Sequence, residues 1–472
     1  LQPNFKAFGV TLIASISGIR GTIGGDPGSS LTPLDIVKFT AGYGTWIRKK
    51  KGKKVVIGRD ARPSGEMVSQ LVSSTLNSLG IDVVDLDLAT TPTVEMAVLF
   101  EKASGGIILT ASHNPVEWNA LKLLNNRGEF ISGAEGEEIL RYAAAEIFEF
   151  VPVARLGSYS RKRHYLDKHI KAILKHPLVD VKAIRKVRYR IAVDAVNSVG
   201  GIAVPRLLKA LGVKKIEKVN CKPNGQFAHN PEPLTENLKE LIETIRQGKF
   251  DLGIAVDPDV DRLAVICEDG VPFGEEYTLV SVADYVLASR KGNTVSNLSS
   301  TRALKEVTEN AGGNYFASAV GEVNVVAEMK RVKAVIGGEG NGGVIVPDLH
   351  YGRDALIGIA LFLSHLAKEE VTASILRAKY PDYVISKNKI ELKPGLNIDK
   401  ILEGVRKKHP GHPMNRADGL KIEFDREWVH LRKSNTEPII RIYAESISEA
   451  GAQKLARQIM KDIEELAAQQ SK

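Results

Sequence analysis

Cysteine is nearly absent: two residues, Cys221 and Cys267, in a chain of 472. They stand far apart and match no metal spacing, which supports neither a disulfide framework nor a zinc site and points to a reducing, cytoplasmic setting. Aromatic residues are scarce, at 6%. The densest basic runs, 48–54 and 161–164, have none interleaved, so they lack the stacking platform of single-strand nucleic-acid binders and read as solvated loops and helix ends. No nucleic-acid partner is expected. Nor does the chain contain the roughly 18 uninterrupted apolar residues of a membrane helix, so no membrane partner is expected. The apolar run 8–16 is too short for a signal-peptide core, carries Thr11 and Ser15, and reads as a first β-strand. There is no clear short-period repeat.

What is present describes a folded protein: 43% hydrophobic and 26% charged residues, with 42 glycines. The length exceeds one hydrophobic core, and at roughly 100–200 residues per domain it implies about three or four domains with clefts between them. Lys+Arg exceed Asp+Glu by 65 to 56, a net charge of +9, which favours an anionic partner.

Short β-rich runs alternate with longer amphipathic stretches, the pattern of βαβ units with mainly parallel sheets. Strands are expected at 54–57, 107–109, 191–193, 252–256 and 334–336, and helices at 34–49 after Thr32-Pro33 and at 66–79 before Gly80. Each strand runs into a polar or glycine-rich loop: GRDARPSG, TASHNP, DAVNSVGG, DPDVDR, GGEGNGG. Ligands gather beyond the carboxyl ends of strands in open α/β sheets, so chemistry is expected there. The last ninety or so residues combine strands at 421–424, 429–431 and 439–444 with a helix over 448–467, a compact α+β module.

Asp257-Pro258-Asp259-Val260-Asp261-Arg262 carries the strongest local signal. Three carboxylates at alternate positions repel unless a cation sits among them, and hard oxygen donors suit Mg²⁺. A solvated acidic turn competes with this reading, though less well directly after an apolar strand. An EF-hand fails because Arg262 stands where its glycine is needed. A phosphatase with Asp257 as nucleophile would look much the same and stays open. Thr110-Ala111-Ser112-His113-Asn114-Pro115 is either turn chemistry or the presentation of Ser112. A phosphorylated Ser112 would bring the anionic oxygens that the aspartate site lacks. Lys122, if desolvated and crowded by cations, would lose its proton near neutrality and act as a general base. His113 has no second histidine at metal spacing and reads as a hydrogen-bonding partner.

In Gly338-Glu339-Gly340-Asn341-Gly342, with no P-loop lysine following, Glu339 and Asn341 suit sugar hydroxyls. Arg432-Lys433-Ser434-Asn435-Thr436-Glu437-Pro438, with Arg441 close behind, gathers the donors a phosphate dianion needs.

Together these loops resemble the α-D-phosphohexomutase family: Ser17-Gly18-Ile19-Arg20-Gly21, Gly58-Arg59-Asp60, the Ser112 loop, the Asp257 loop, the Glu339 loop and the Ser434 loop occur in family order across nearly the whole chain. The resemblance implies an α/β fold: three related αβ domains with mixed sheets and a smaller C-terminal α+β domain around a central cleft. Its implied boundaries are 1–152, 153–272, 273–378 and 379–472. It implies a cytoplasmic intramolecular phosphotransferase, monomer or homodimer, acting on hexose phosphates, with glucosamine first and glucose or mannose next. By the same resemblance Ser112 is the phosphoserine, and Ser112 with Asp257, Asp259 and Asp261 holds Mg²⁺. Arg20, Arg262, Lys122 and His113 stand near the transferring phosphoryl group, with Lys122 as the base. Glu339 and Asn341 hold the sugar, and Arg432, Ser434, Asn435, Thr436 and Arg441 hold the other phosphate. Hexose 1,6-bisphosphate is the implied intermediate and activator. A magnesium-dependent sugar phosphatase and a non-enzymatic anion binder are the alternatives. At Val320-Gly321-Glu322, where several family members carry a histidine, the acidic Glu322 is expected to favour an amino sugar.

Overall fold

The computed structural model describes residues 10–15, 18–393, 395–433 and 439–470. Its first three sheets share one plan. In the second, the strands Arg190–Asp194, Lys215–Val219, Leu252–Val256 and Leu263–Cys267 stand in the spatial order fourth, third, first, second. The third has the same order, built from Asn293–Asn297, Tyr315–Ser318, Ala334–Glu339 and Gly343–Ile345. The first repeats it with Lys54–Arg59, Asp82–Leu88, Gly105–Leu109 and Trp118–Leu124. In each, the first strand pairs in parallel with the second and third, and the fourth turns back antiparallel to the third. The three units are thus related in topology.

That plan locates the chemistry. The link from third to fourth strand carries Ser112 in the first sheet, Asp257, Asp259 and Asp261 in the second, and Asn341 in the third. The third strand is buried throughout in Gly105–Leu109 and Leu252–Val256, as expected of a strand covered on both faces. Only at the end of such a strand can polar side chains emerge.

The first sheet has seven strands. Ile13–Ser15 and Gly18–Thr22 extend one edge, and Tyr159–Arg161 pairs with Asp82–Leu88 at the other. The first sheet therefore draws a strand from beyond the boundary expected at 152. Within the described part of the N-terminal run, Ile13–Ser15 forms a strand.

The expected helices form as Pro33–Lys49 and Gly65–Ser78. The first is set by a capping box in which Thr32 and Asp35 satisfy each other's backbone, with Pro33 at the first turn. Ala355–Glu369 is apolar almost all round, and 13 of its residues, ending at Ala367, are buried. It fuses the second and third units, whose apolar side chains form one continuous core from Ile170 to Tyr383. The first unit and the C-terminal unit keep their own cores.

The C-terminal unit is an antiparallel sheet in the order Val384–Glu391, Ile439–Ser446, Trp428–Lys433, Leu420–Glu423, Met414–Asn415, closed by the helix Glu449–Gln470. Among the described residues no helix is long and apolar enough to cross a membrane.

Candidate active site

The Asp257 loop turns sharply because its first carboxylate caps it: Asp257 Oδ1 accepts from the backbone N–H of Asp261 (3.1 Å) and of Arg262 (3.2 Å). Val260 is held at φ 64°, a left-handed backbone that a β-branched residue adopts only under constraint from packing, and it is fully buried. The result is three carboxylates, all at 0% exposure, whose oxygens lie within 4.8 Å of one another.

Each carboxylate is held by a different part of the molecule. Ser112 Oγ donates to Asp257 Oδ2 at 2.8 Å. Thr91 Oγ1 (2.6 Å) and Lys122 Nζ (2.7 Å) both donate to Asp259 Oδ2. Arg353 Nη2 donates to Asp261 Oδ2 at 2.7 Å. Asp259 Oδ1 and Asp261 Oδ1 are buried without a hydrogen-bond partner among the described residues. Burial, then the charges of Asp261 and Asp259, push Asp257 well above the usual carboxylate range. Buried repulsion and bare oxygens aimed at one point fit a divalent cation that prefers oxygen donors.

Ser112 also sits in the left-handed region, at φ 49°. Arg62 enforces this. Its fully buried guanidinium pairs with Asp60 (3.0 Å) and donates to the carbonyls of Ser112 (2.6 Å), Asn114 (2.7 Å), Trp118 (3.1 Å) and Pro115. Thr110 Oγ1 accepts from the Ser112 N–H at 3.0 Å. His113 Nδ1 accepts from Arg262 Nη2 at 3.0 Å, while Arg262 Nη1 meets Glu232 at 2.9 Å. Burial and then the Arg262 charge push His113 down to about 4, so it is a neutral acceptor.

Lys122 reverses its expectation. Burial alone would lower its pKa, but Asp259 and Asp261 outweigh it and the value is raised. The cations expected to crowd it are fewer than the anions that do. Arg20 stands directly across from Ala120, two residues from Lys122 along the same strand, so it shares Lys122's face of the sheet; its side chain is exposed.

In the third unit, Glu339 is consumed: Oε2 accepts from Arg353 Nη1 (2.7 Å), and Oε1 from Asn297 Nδ2 (2.9 Å) and the Gly321 N–H (3.1 Å). Asn341 is half-buried, with Arg353 Nη1 only at 3.5 Å, and remains available. Glu322 does not stand free to select an amino sugar, because Arg353 takes it through Nε (2.9 Å) and its own N–H (3.2 Å).

Arg432 and Arg441 lie apart from the aspartates, in the C-terminal sheet. They are directly opposite each other, and Lys389 faces Arg441 from the next strand. Three cations in one cross-strand row repel, and carboxylates offset two of them, Glu391 lying 3.2 Å from Lys389. Arg432 Nε is 2.7 Å from Asp418 Oδ2. Ser434, Asn435 and Thr436 lie outside the described residues.

Arg62, Thr91 and Arg353 escaped the sequence reading. Arg62 lies in the GRDARPSG loop, two residues past Asp60, so its signal was at hand. Thr91 and Arg353 reach the aspartates from 168 and 92 residues away in the chain, and no local pattern marks them.

Family models for phosphoglucomutase/phosphomannomutase match in order: α/β/α domain I at 13–149, domain II at 167–270, domain III at 274–383 and the C-terminal domain at 389–462. The chain is 36% identical to a phosphoglucomutase/phosphomannomutase of Thermococcus kodakarensis over 95% of its own length and 97% of the relative's. It is 33% identical to a phosphoglucosamine/phosphogalactosamine mutase of Sulfurisphaera tokodaii, over 95% and 98%. A crystal structure of a phosphoglucomutase/phosphomannomutase family protein from Burkholderia thailandensis superposes with a TM-score of 0.82 at 26% identity, covering 96% of this chain and 97% of that one. With all four family domains matched in order and a relative of this identity spanning almost its full length, the chain belongs to the phosphoglucomutase/phosphomannomutase family of phosphohexose isomerases.

Proposed function

We propose that the protein interconverts hexose 1-phosphate and hexose 6-phosphate by way of phosphorylated Ser112 and a bound hexose 1,6-bisphosphate. The observation that carries this reading is the Ser112 hydroxyl, fixed in a strained backbone 2.8 Å from a buried triple-aspartate site. The phosphoserine P–O bond breaks as a substrate hydroxyl oxygen bonds to phosphorus, and the proton of that hydroxyl passes to the departing Ser112 oxygen, which regenerates the serine. The bisphosphate then turns over in place, and its other phosphoryl group returns to the Ser112 oxygen. Asp257, Asp259 and Asp261 would hold Mg²⁺, which when bound offsets the charge of the phosphoryl group in transit.

Lys122, 2.7 Å from Asp259 Oδ2, supplies positive charge beside that group. A loose phosphoryl-transfer transition state asks little of a base, because the new bond lags behind the breaking one. Arg262 adds a second cation, oriented by His113 and Glu232, and Arg20 a third from the shared face. Asn341 is the free sugar contact in its loop, with Glu339 positioning it through Arg353. The cation row Arg432, Arg441 and Lys389 suits the non-reacting phosphate, beside Ser434, Asn435 and Thr436. The names of the relatives support an amino-hexose or hexose substrate, glucosamine first. An aspartyl-phosphatase reading is disfavoured because Asp257 has both oxygens engaged, by two backbone N–H groups and Ser112.

Intact-protein mass spectrometry tests it: incubation with glucosamine, glucose or mannose 1-phosphate plus a trace of bisphosphate should interchange a phosphate on Ser112. Ser112→Ala should lose that phosphate and several orders of magnitude of interconversion. Undiminished isomerisation by the alanine variant would refute the phosphoserine route.

A further inference from the structure

Behind the aspartate site lies a second cluster of metal-ligating side chains that the reaction above does not use. His169, from the helix Tyr165–Lys175, and His350 both direct Nε2 at the same oxygen of Asp354, Oδ2, at 2.9 and 3.3 Å. All three residues are buried, at 0%, 6% and 0% exposure. Asp354 is itself fixed as the cap of Ala355–Glu369, its Oδ1 accepting the Leu356 N–H at 2.8 Å.

The other nitrogen of each ring is held from behind. His169 Nδ1 lies 3.1 Å from Thr93 Oγ1, and His350 Nδ1 lies 3.3 Å from Glu95 Oε2. Both partners come from the helix Thr91–Glu101. Glu95 has 0% exposure, yet neither of its oxygens has an aligned hydrogen bond among the described residues, and neither does His350 Nδ1. Gly352 makes room for this carboxylate: a Cβ there would meet Glu95 Oε2 at 2.0 Å. A buried carboxylate without hydrogen bonds, aimed at the back of a histidine whose front faces a second histidine and an aspartate, is the carboxylate–histidine–metal arrangement seen from its ligands. The spacing agrees for His350 at 3.3 Å, and His169 at 2.9 Å would open slightly to admit an ion. Donors bound at about 2.0–2.1 Å around tetrahedral zinc stand roughly 3.3 Å apart.

We propose that His169, His350 and Asp354 form a second metal site, selective for zinc and separate from the aspartate triad, with Glu95 and Thr93 orienting the two rings. The donor sets divide the two ions: all-oxygen carboxylates favour Mg²⁺, whereas two imidazole nitrogens and one carboxylate favour Zn²⁺. Its place in the fold gives it a use. Thr93 and Glu95 share a helix with Thr91, which holds Asp259. Asp354 follows Arg353, which holds Asp261, and precedes Ala355, whose N–H donates to the Val260 carbonyl at 3.2 Å. A zinc ion here would tie together the elements that place the magnesium ligands.

Cobalt is the probe. The full chain, stripped with chelator and then given Co²⁺ in a large excess of Mg²⁺, should retain one equivalent with the visible absorption of a four-coordinate, nitrogen-bearing site; zinc should displace it. Asp257→Asn should keep that absorption, and His350→Gln should lose it. Glu95→Gln should keep the spectrum but weaken affinity by about 10- to 100-fold. The proposal falls if the unsubstituted chain retains no cobalt against Mg²⁺, or if Asp257→Asn abolishes the spectrum. Should His350→Gln fail to fold by circular dichroism, unchanged affinity in Glu95→Gln would count against it.

Discussion

Arg62 shows how one buried side chain sets the geometry of the Ser112 loop. Its guanidinium converts four outward-facing carbonyls of a loop into ligands, and Asp60 neutralises it out of contact with water. Removing one member of a buried pair leaves the other charge uncompensated. Arg62→Leu should therefore lower the stability of the first unit by about 3–5 kcal/mol, read as a fall of its transition in scanning calorimetry. Lys421 is the opposite case, a buried cation without a full partner. It lies 4.2 Å above the Trp428 ring, and burial pushes its pKa from the ordinary 10.5 down to about 8, against the pull of Glu423 and Glu445. Between pH 8 and 10.5 the unfolded chain binds the extra proton, so stability rises with pH across that window. Lys421→Met should lack this rise. The stability difference between variant and parent should shift by about 3 kcal/mol from pH 8 to 10.5 in urea titrations.

Between elements, the C-terminal sheet meets the third unit through polar contacts, those of Asp418 and His430 among them. Asp418 Oδ2 accepts the Val320 N–H at 3.0 Å and lies 2.7 Å from Arg432, while His430 reaches both the Asp418 carbonyl (2.7 Å) and Ser299 (2.9 Å). Asp418 thus links the loop before Glu322 to a proposed phosphate-binding arginine. A hydrogen bond to a charged acceptor contributes about 1.5–3 kcal/mol, so in Asp418→Ala the Val320 amide should exchange about 10- to 100-fold faster by hydrogen–deuterium exchange. Unchanged protection at Val320 would show that other contacts keep the units docked.

Across the whole molecule, three copies of one strand order deliver three different loops to one place, and a net charge of +9 surrounds them. Electrostatic steering acts on encounter rather than on chemistry and is screened by salt. For a phosphosugar substrate, kcat/KM should fall as ionic strength rises from 0.01 to about 0.15 M while kcat stays nearly constant. Equal falls in both would place the salt effect on the chemical step.

Most strand and helix positions could be read from the chain, because period and punctuation are local: buried strands read as apolar runs, and Thr32-Pro33 announces a helix. So could the aspartate triad and Ser112, whose chemistry is concentrated within a few residues. The strand Tyr159–Arg161 could not be read, since three exposed or half-buried residues carry no period and belong to the first sheet only through pairing. The protonation of Lys122, the sequestration of Glu339 and Glu322 by Arg353, and the meeting of His169 with His350 were likewise decided by the tertiary structure. A residue type states which chemistry is available, and a local spacing states which neighbours share it. Charge state and free valence depend on which distant groups arrive alongside, and here those groups come from up to 185 residues away.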